Sequence, residues 1–298
     1  MGQGREGRED RAVTTEGVAA MIADSVRRVV PGPLKKMRDA LLALALALFA
    51  FAALAQGTAP AITKPQVDTP KRILFVGNSY TYYNGSLHVH ANRIARSADA
   101  NGRYDYRAAT IAGAPLHYHA IDHLITPGKL GVKEPFEVVI LQGNSIDAMS
   151  DRDRAQFRET VIEFNKAIAK RGAKTALYMT QAHVLPSKYA GTDLLRRTAE
   201  MYIAAGNEIG AIVIPAALAF EEAYRRRPDM KLHFELDGSH PSLLGTYLAA
   251  CTVYATLYGR RSEGNTYDYQ GTIARDDALF LQKVADDTVA KFFRRPLH

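Results

Sequence analysis

The apolar residues of this chain form short continuous runs, separated by longer segments in which apolar positions recur at helical spacing. Four runs, at 72–76, 137–141, 174–179 and 211–214, lack polar alternation. Such runs predict strands of a parallel sheet, because each strand there is covered on both faces. A weaker run at 104–109 predicts an edge strand.

Helical periodicity fills the gaps between these runs. Between residues 153 and 170, apolar side chains recur every three or four positions, and Gly172 is placed to end the helix. The segments 192–207, 241–257 and 278–293 also predict helices. Strands that alternate with helices predict an α/β domain, with helices on both faces of a parallel sheet.

A basic segment and an apolar run precede this domain. Residues 35–38 are mostly basic, and residues 40–54 are an unbroken run of 15 Ala, Leu and Phe residues. Followed by the small residue Ala55, this order predicts a signal peptide at 37–55, cleaved after Ala55. The mature protein is then secreted or periplasmic and keeps no membrane span. An uncleaved anchor is the alternative, although the run is shorter than the roughly 20 residues that a span needs.

Composition sets the other boundaries. Residues 1–36 are polar and rich in arginine, which predicts a disordered leader or a start codon assigned too early. Residues 56–70 are rich in Pro, Thr and Ala and predict an exposed linker, which leaves 71–298 as the folded domain. The only cysteine, Cys251, excludes an internal disulfide, and its small apolar neighbours predict a buried helical position.

The distribution of charge along the chain bears on whether the protein binds nucleic acid. The formal net charge is +7, but the basic residues are dispersed along the chain. No basic run is interleaved with aromatic side chains, so we expect no nucleic-acid partner.

Two short motifs carry the candidate chemistry. Gly77-Asn78-Ser79 follows the first predicted strand, and Asp237-Gly238-Ser239-His240 lies near the C-terminus. A serine at a strand end can act as a nucleophile when an imidazole takes its proton and a carboxylate orients that imidazole. Gly143-Asn144-Ser145 repeats the first motif after another predicted strand, so Ser145 is the alternative nucleophile.

With these motifs in this order, residues 71–257 resemble the SGNH hydrolase superfamily, also called GDSL-type esterases and lipases. The first block resembles the branch with Gly-Asn-Ser, since Asn78 stands where better-known members have Asp. The resemblance implies a three-layer α/β/α fold with a parallel, five-stranded, flavodoxin-like sheet. It also implies hydrolysis through an acyl-serine intermediate, without a cofactor.

The resemblance assigns roles to individual residues. Ser79 is the expected nucleophile, His240 its general base, and Asp237 the carboxylate that holds His240. The expected oxyanion hole consists of the backbone N–H groups of Ser79 and Gly113 and the side-chain amide of Asn144. The third block departs from the family's Gly-x-Asn-Asp, because it has Gln142 in place of Gly and Ser145 in place of Asp.

Further polar and aromatic residues are expected to line the substrate cleft. Some flank the strand ends that carry the expected nucleophile and the Asn144 block, and others follow the strand predicted at 174–179. The tyrosines after Ser79 either pack or stack on a sugar or acyl group. The expected substrate-binding residues are Asn78, Tyr80, Gln142, Gln181 and His183.

The remaining histidines raise the question of a metal. His119 and His123 would share a helix face, as zinc ligands at positions i and i+4 do. No Glu completes a His-Glu-x-x-His arrangement, and the proposed chemistry needs no metal. We expect no metal site, and a zinc hydrolase that uses these histidines is an alternative.

The sequence therefore predicts an exported serine esterase. Its expected substrate is a small-molecule or polysaccharide ester, such as an O-acetyl carbohydrate or a short acyl ester. Acyl transfer in place of hydrolysis stays open, as does the oligomeric state. The alternative from another class is a non-catalytic carbohydrate-binding or envelope-assembly protein that retains the fold, since fold alone does not establish function.

Overall fold

A computed structural model describes residues 59–298, which form a five-stranded, all-parallel sheet with helices on both faces. The strand order is β2-β1-β3-β4-β5, which confirms the predicted flavodoxin-like sheet and the edge position of the second strand. The strands are β1 (Arg72–Gly77), β2 (Asp105–Thr110), β3 (Val138–Leu141), β4 (Lys174–Tyr178) and β5 (Ile212–Ile214).

The strands are buried because consecutive side chains enter opposite cores. In β1, Ile73 and Phe75 pack into one hydrophobic cluster, whereas Leu74 and Val76 pack into the other. Alternation of side chains along a strand gives this division, and two covered faces explain why the run has no polar positions.

Eight helices connect or flank the strands within residues 59–298. Gly172 has a positive φ of 78° just past the end of the fourth helix, which confirms the predicted helix stop. The helices are α1 (Ser79–Tyr82), α2 (Leu87–Ala98), α3 (Ile121–Leu124), α4 (Asp151–Lys170), α5 (Leu194–Ile209), α6 (Ala216–Arg226), α7 (Leu243–Tyr258) and α8 (Arg275–Phe293).

The helices divide between the two faces of the sheet. Helices α2, α7 and α8 and most of α6 contribute to one cluster, and α3, α4 and α5 to the other. Helix α7 is apolar on all sides and almost wholly buried, as expected for a helix that other helices cover. Cys251 lies within it at 0% exposure, which confirms its predicted burial.

The segment 59–70 contains no helix or strand but is tied to the domain. Asn207 accepts the N–H of Ala61 at 2.7 Å and donates to the carbonyl of Ala59 at 3.0 Å. Ile62 and Val67 pack against the core. Residues 59–70 of the predicted linker therefore pack along the surface of the domain.

The predicted leader and signal peptide lie outside the described residues and stay predictions. Within residues 59–298, no helix combines the length and the hydropathy required to cross a bilayer.

Candidate active site

The candidate nucleophile stands at the first position of a short helix. β1 ends at Gly77, and the side-chain oxygen of Asn78 accepts the N–H of Tyr80 at 3.2 Å, which caps α1. Ser79 follows the cap and is 7% exposed. A capped turn directly after a strand fixes the backbone of this serine at the carboxyl edge of the sheet.

The loop before α7 supplies an imidazole and a carboxylate. Nε2 of His240 lies 2.8 Å from the Oγ of Ser79, and Nδ1 lies 2.7 Å from the Oδ2 of Asp237. With the Nδ1 proton directed to the carboxylate, Nε2 is the acceptor for the serine hydroxyl. The three side chains thus form a connected chain although Ser79 and His240 are 161 residues apart.

The carboxylate is held in its ionised form. Burial raises the pKa of Asp237, but the N–H groups of Ser239 and His240 and the imidazole of His240 donate to this carboxylate and lower its pKa below the ordinary value. Its Oδ1 accepts the N–H of Ser239 at 2.7 Å and that of His240 at 3.0 Å. These bonds also fix the turn between Asp237 and His240.

Gly238 lets the loop that carries Asp237 and His240 pack closely against the loop after β4. It has a φ of 63°, and an added Cβ would overlap the carbonyl oxygen of Val184. The N–H of Val184 donates to the carbonyl of Gly238 at 2.7 Å. The Asp-x-x-His spacing therefore works here because glycine occupies the second position.

The predicted oxyanion donors gather beside Ser79. β1 and β3 are neighbours, with Val76 opposite Leu141, so the loops that follow them meet at the same edge. Asn144 donates through Nδ2 to the carbonyl of Gly113 at 3.1 Å, which leaves its second amide hydrogen free. Gly113 has a φ of 66°, and its N–H has no acceptor within residues 59–298.

A cleft of about 300 Å³ lies between these groups. Its lining includes Ser79, Gly113, Asn144 and His240, so the structure brings all of these predicted catalytic and oxyanion residues together.

Asp147 is a site residue that the sequence analysis missed. Its Oδ2 accepts the backbone N–H of Asn144 at 2.7 Å, and burial raises the pKa of Asp147 to about 7 although this N–H bond lowers it. A carboxylate three residues after an asparagine in a loop is the sequence signal that could have indicated this turn.

Tyr80 lines the cleft and pairs with His183, which is not among the residues of the cleft lining. The Tyr80 hydroxyl lies 2.9 Å from Nε2 of His183, and Nδ1 of His183 lies 2.8 Å from the Oγ of Ser187. Burial lowers the pKa of His183 to about 4 and raises the pKa of Tyr80 to about 12. Both groups are therefore neutral at physiological pH.

Gln142 and Gln181 differ from their predicted position on the substrate side. Each is 1% exposed. Gln142 accepts the N–H of Asn78 at 2.9 Å, and Gln181 donates to the carbonyl of Ser239 at 3.3 Å. Both amides are therefore buried supports: Gln142 holds the loop before Ser79, and Gln181 holds the loop before His240.

Asn78 is also largely structural. It is 2% exposed and donates to the carbonyls of Ala114 and Gly143, at 3.2 and 3.3 Å, in addition to capping α1. The residue joins the loops after the first three strands.

The histidines of the alternative zinc site serve separate contacts. Nε2 of His119 lies 2.9 Å from the carbonyl oxygen of Gly77, and His123 is exposed. Within the described range, no three His, Cys, Asp or Glu side chains are grouped so that they could hold a metal. Among the hydrogen bonds of residues 59–298, none joins Ser145 to an imidazole.

Comparison with known proteins shows the fold. No protein-family model matches the chain, and no curated protein matches it in sequence. Solved structures do match. A protein from Slackia heliotrinireducens, provisionally described as an SGNH hydrolase, is 22% identical with a TM-score of 0.51, over 63% of this chain and 99% of that one.

Two further structures are similar. A DUF4886 family protein from Bacteroides uniformis is 18% identical with a TM-score of 0.56, over 76% of this chain and 96% of its own. A protein from Parabacteroides merdae, provisionally described as a GDSL-like lipase, is 14% identical with a TM-score of 0.51, over 66% and 99%. At these identities the similarity shows the SGNH hydrolase fold, as the motifs predicted, and no particular activity.

Proposed function

We propose that this chain, which has the SGNH hydrolase fold, is an exported serine esterase that hydrolyses a carboxylic ester through an acyl-serine intermediate. The observation that carries the proposal is the connected chain Ser79–His240–Asp237, with contacts of 2.8 and 2.7 Å. A buried serine whose hydroxyl meets a carboxylate-oriented imidazole is the arrangement that nucleophilic acyl transfer requires.

In the first half of the reaction, the Oγ of Ser79 attacks the ester carbonyl while Nε2 of His240 takes its proton. The imidazolium so formed donates to Asp237 through Nδ1. It then returns the proton to the leaving alcohol, and the C–O bond of the ester breaks. In the second half, His240 deprotonates water as it attacks the acyl carbon. The imidazolium then returns the proton to the Oγ of Ser79, the bond between Oγ and the acyl carbon breaks, and the acid is released.

The developing oxyanion is received by the N–H groups of Ser79 and Gly113 and the free amide hydrogen of Asn144. The bond from Asn144 to the Gly113 carbonyl keeps these donors together, which favours donation without reorganisation during the reaction.

The substrate is an O-acetyl carbohydrate or another short acyl ester. A cleft of about 300 Å³ suits a small acyl group. Tyr82, which lines the cleft and is 40% exposed, offers an aromatic face for the alcohol part. Export rests on residues 37–55 alone, and the intact mass of protein recovered from the medium or periplasm tests it.

The proposal is tested by turnover of p-nitrophenyl acetate by the full-length protein and His240→Gln. Without its general base the enzyme is expected to lose roughly 10⁴-fold or more in kcat, because Ser79 is then no nucleophile at neutral pH. His123→Gln is the matched control, since His123 is exposed and outside the cleft.

Three results would contradict the proposal or refine it. A wild-type protein inert towards activated esters and towards a serine-directed fluorophosphonate favours the non-catalytic binding protein. Activity that EDTA abolishes, and that His123→Gln reduces, favours the zinc alternative. Transfer of the acetyl group to an added alcohol in preference to water identifies an acyltransferase.

A further inference from the structure

The face of the catalytic imidazole is covered by a tyrosine. The rings of Tyr83 and His240 are nearly parallel, with an interplanar angle of 8° and centroids 4.3 Å apart. The bonds of His240 to Ser79 and Asp237 lie in the plane of the imidazole ring and do not restrain its tilt. Tyr80 also contacts the ring, at an angle of 40° and with centroids 5.2 Å apart, but Tyr83 is the parallel contact that restrains this tilt.

The same contact depends on the charge of the imidazole. An aromatic face is the negative part of the ring quadrupole and attracts a cation placed over it. In the proposed reaction His240 becomes a cation only after it takes the serine proton. The Tyr83 face therefore stabilises the charged ring more than the neutral ring, which favours the transition state over the ground state.

Tyr83 is carried by a turn of unusual backbone conformation. Three consecutive residues have positive φ: Asn84 at 54°, Gly85 at 84° and Ser86 at 77°. Side chains other than glycine rarely adopt this region, and such strain persists where surrounding contacts determine the conformation. Within this turn, Asn84 contacts Pro241 and Thr246 through its side chain and His90 through its carbonyl.

These contacts lead to the histidine loop. Nδ2 of Asn84 donates to the carbonyl of Pro241 at 2.9 Å and to the hydroxyl of Thr246 at 2.8 Å. On the other side, Nε2 of the buried His90 lies 2.8 Å from the Asn84 carbonyl oxygen. Pro241 directly follows His240, so the Asn84 amide joins the turn that holds Tyr83 to the loop that holds His240.

We propose that Asn84 is a positioning residue, which acts by fixing the ring of Tyr83 over the catalytic His240. The kinetic consequence rests on the proposed esterase function. Asn84 touches neither the substrate nor the reacting atoms. It sets the separation of two rings that belong to different segments of the chain.

Kinetics test the consequence in four variants of the full-length protein. Asn84→Gly keeps the positive φ but removes the amide, and is expected to lower kcat for p-nitrophenyl acetate about five- to tenfold with KM within about twofold. Tyr83→Leu has the same effect, whereas Tyr83→Phe, which keeps the ring, retains wild-type kcat. Tyr118→Leu removes an exposed tyrosine without a stack on His240 and leaves kcat unchanged.

NMR tests the positioning itself without requiring activity. The carbon-bound ring protons of His240, assigned by comparison with His240→Gln, are expected upfield in the wild type because they lie over the Tyr83 face. They move downfield in Tyr83→Leu and, to a smaller extent, in Asn84→Gly. Thr246→Val, which retains the Pro241 contact, shifts them less than Asn84→Gly does.

The outcomes are separable. Ring-proton resonances that Asn84→Gly leaves in place overturn the proposal, as does a Tyr83→Phe variant that loses as much kcat as Tyr83→Leu. A wild-type protein without esterase activity contradicts the proposed function, while the NMR result still decides whether Asn84 holds the stack.

Discussion

The tripeptide Gly-Asn-Ser occurs at the carboxyl ends of both β1 and β3, and the two copies hold different parts of the site. The first copy begins with Gly77, the last residue of β1, and the second begins with Gly143, two residues after β3 ends. After β1, α1 begins at once, and its first residue, Ser79, meets His240. After β3, the loop makes a turn in which Asp147 accepts the N–H of Asn144, and the Asn144 side chain reaches Gly113. One copy presents a hydroxyl and the other an amide.

The two copies also share features that explain why both sequences are Gly-Asn-Ser. An added Cβ at Gly77 would overlap the side chain of Gln142, and at Gly143 it would lie 2.7 Å from Asp147 and from the Phe157 ring. In each copy a side-chain oxygen accepts the asparagine N–H, from Gln142 in the first and from Asp147 in the second. In both copies the glycine has no room for a Cβ and the asparagine N–H is bound by a side chain. The acceptor is an amide oxygen in the first copy and a carboxylate oxygen in the second.

The tripeptide therefore indicates a tight turn at the end of a strand and does not by itself indicate a catalytic role. The role follows from what faces the exit. The loop of His240 reaches the first copy, and the loop of Gly113 reaches the second.

The largest effect is expected from the two serines. Ser79→Ala should lose roughly 10⁴-fold or more in kcat for p-nitrophenyl acetate, because no nucleophile remains, whereas Ser145→Ala should stay within about threefold of wild type. Peptide mapping after fluorophosphonate treatment should place the adduct on Ser79. An adduct on Ser145 would reverse the comparison.

The two asparagines should separate catalysis from stability. Asn144→Ala removes a proposed oxyanion donor and is expected to lower kcat about 10²- to 10³-fold, with little change in KM. Asn78→Ala removes the cap of α1 and two buried hydrogen bonds, and is expected to lower the unfolding free energy by about 1–3 kcal/mol. Urea unfolding beside steady-state kinetics measures both. Equal losses of kcat at unchanged stability would leave the two copies functionally alike.

The second copy alone is expected to make the stability depend on pH, through Asp147. In the folded state the pKa of Asp147 is raised by burial from 3.8 to about 7. Between these values the folded protein holds a proton that the unfolded chain has lost, so stability decreases as the pH rises through this window. Asp147→Asn should remove about 2–3 kcal/mol of the stability lost between pH 5 and pH 8.

Urea unfolding of wild type and Asp147→Asn at pH 5 and pH 8 measures this difference. The exposed Asp122→Asn is the control and should follow the wild type. A wild type whose stability relative to Asp147→Asn is the same at both pH values would show that the Asp147 carboxylate is ionised throughout.

Much of the fold could be predicted from the pattern. All five strands lie within one or two residues of the expected ranges, because continuous apolar runs reflect burial on both faces. Four helices were not predicted: the short helices α1 and α3 and the longer helices α2 and α6. Both α2 and α6 bury one face at helical spacing, but the buried face of α2 includes His90 and that of α6 is mostly alanine, so few strongly apolar side chains mark either face in the sequence.

The candidate site could be predicted only in part. Asp237 and His240 are three residues apart, and a turn that joins them is a local property of the chain. The buried supports Gln142 and Gln181 were expected on the substrate side, because a polar residue after a strand end gives no sign of which way it faces. Asp147 was missed although its bond to Asn144 is local, and Asn84 was missed because it contacts Pro241, 157 residues away in the chain.

The alternation of strands and helices, the tight strand exits and the Asp-x-x-His turn are local properties of the chain, since periodicity, glycine and short spacing act within a few residues. Which serine meets the imidazole, which amide lines the cleft and which ring covers His240 depend on long-range packing. These contacts join segments as much as 161 residues apart, and their geometry depends on strand order and helix packing rather than on local preference.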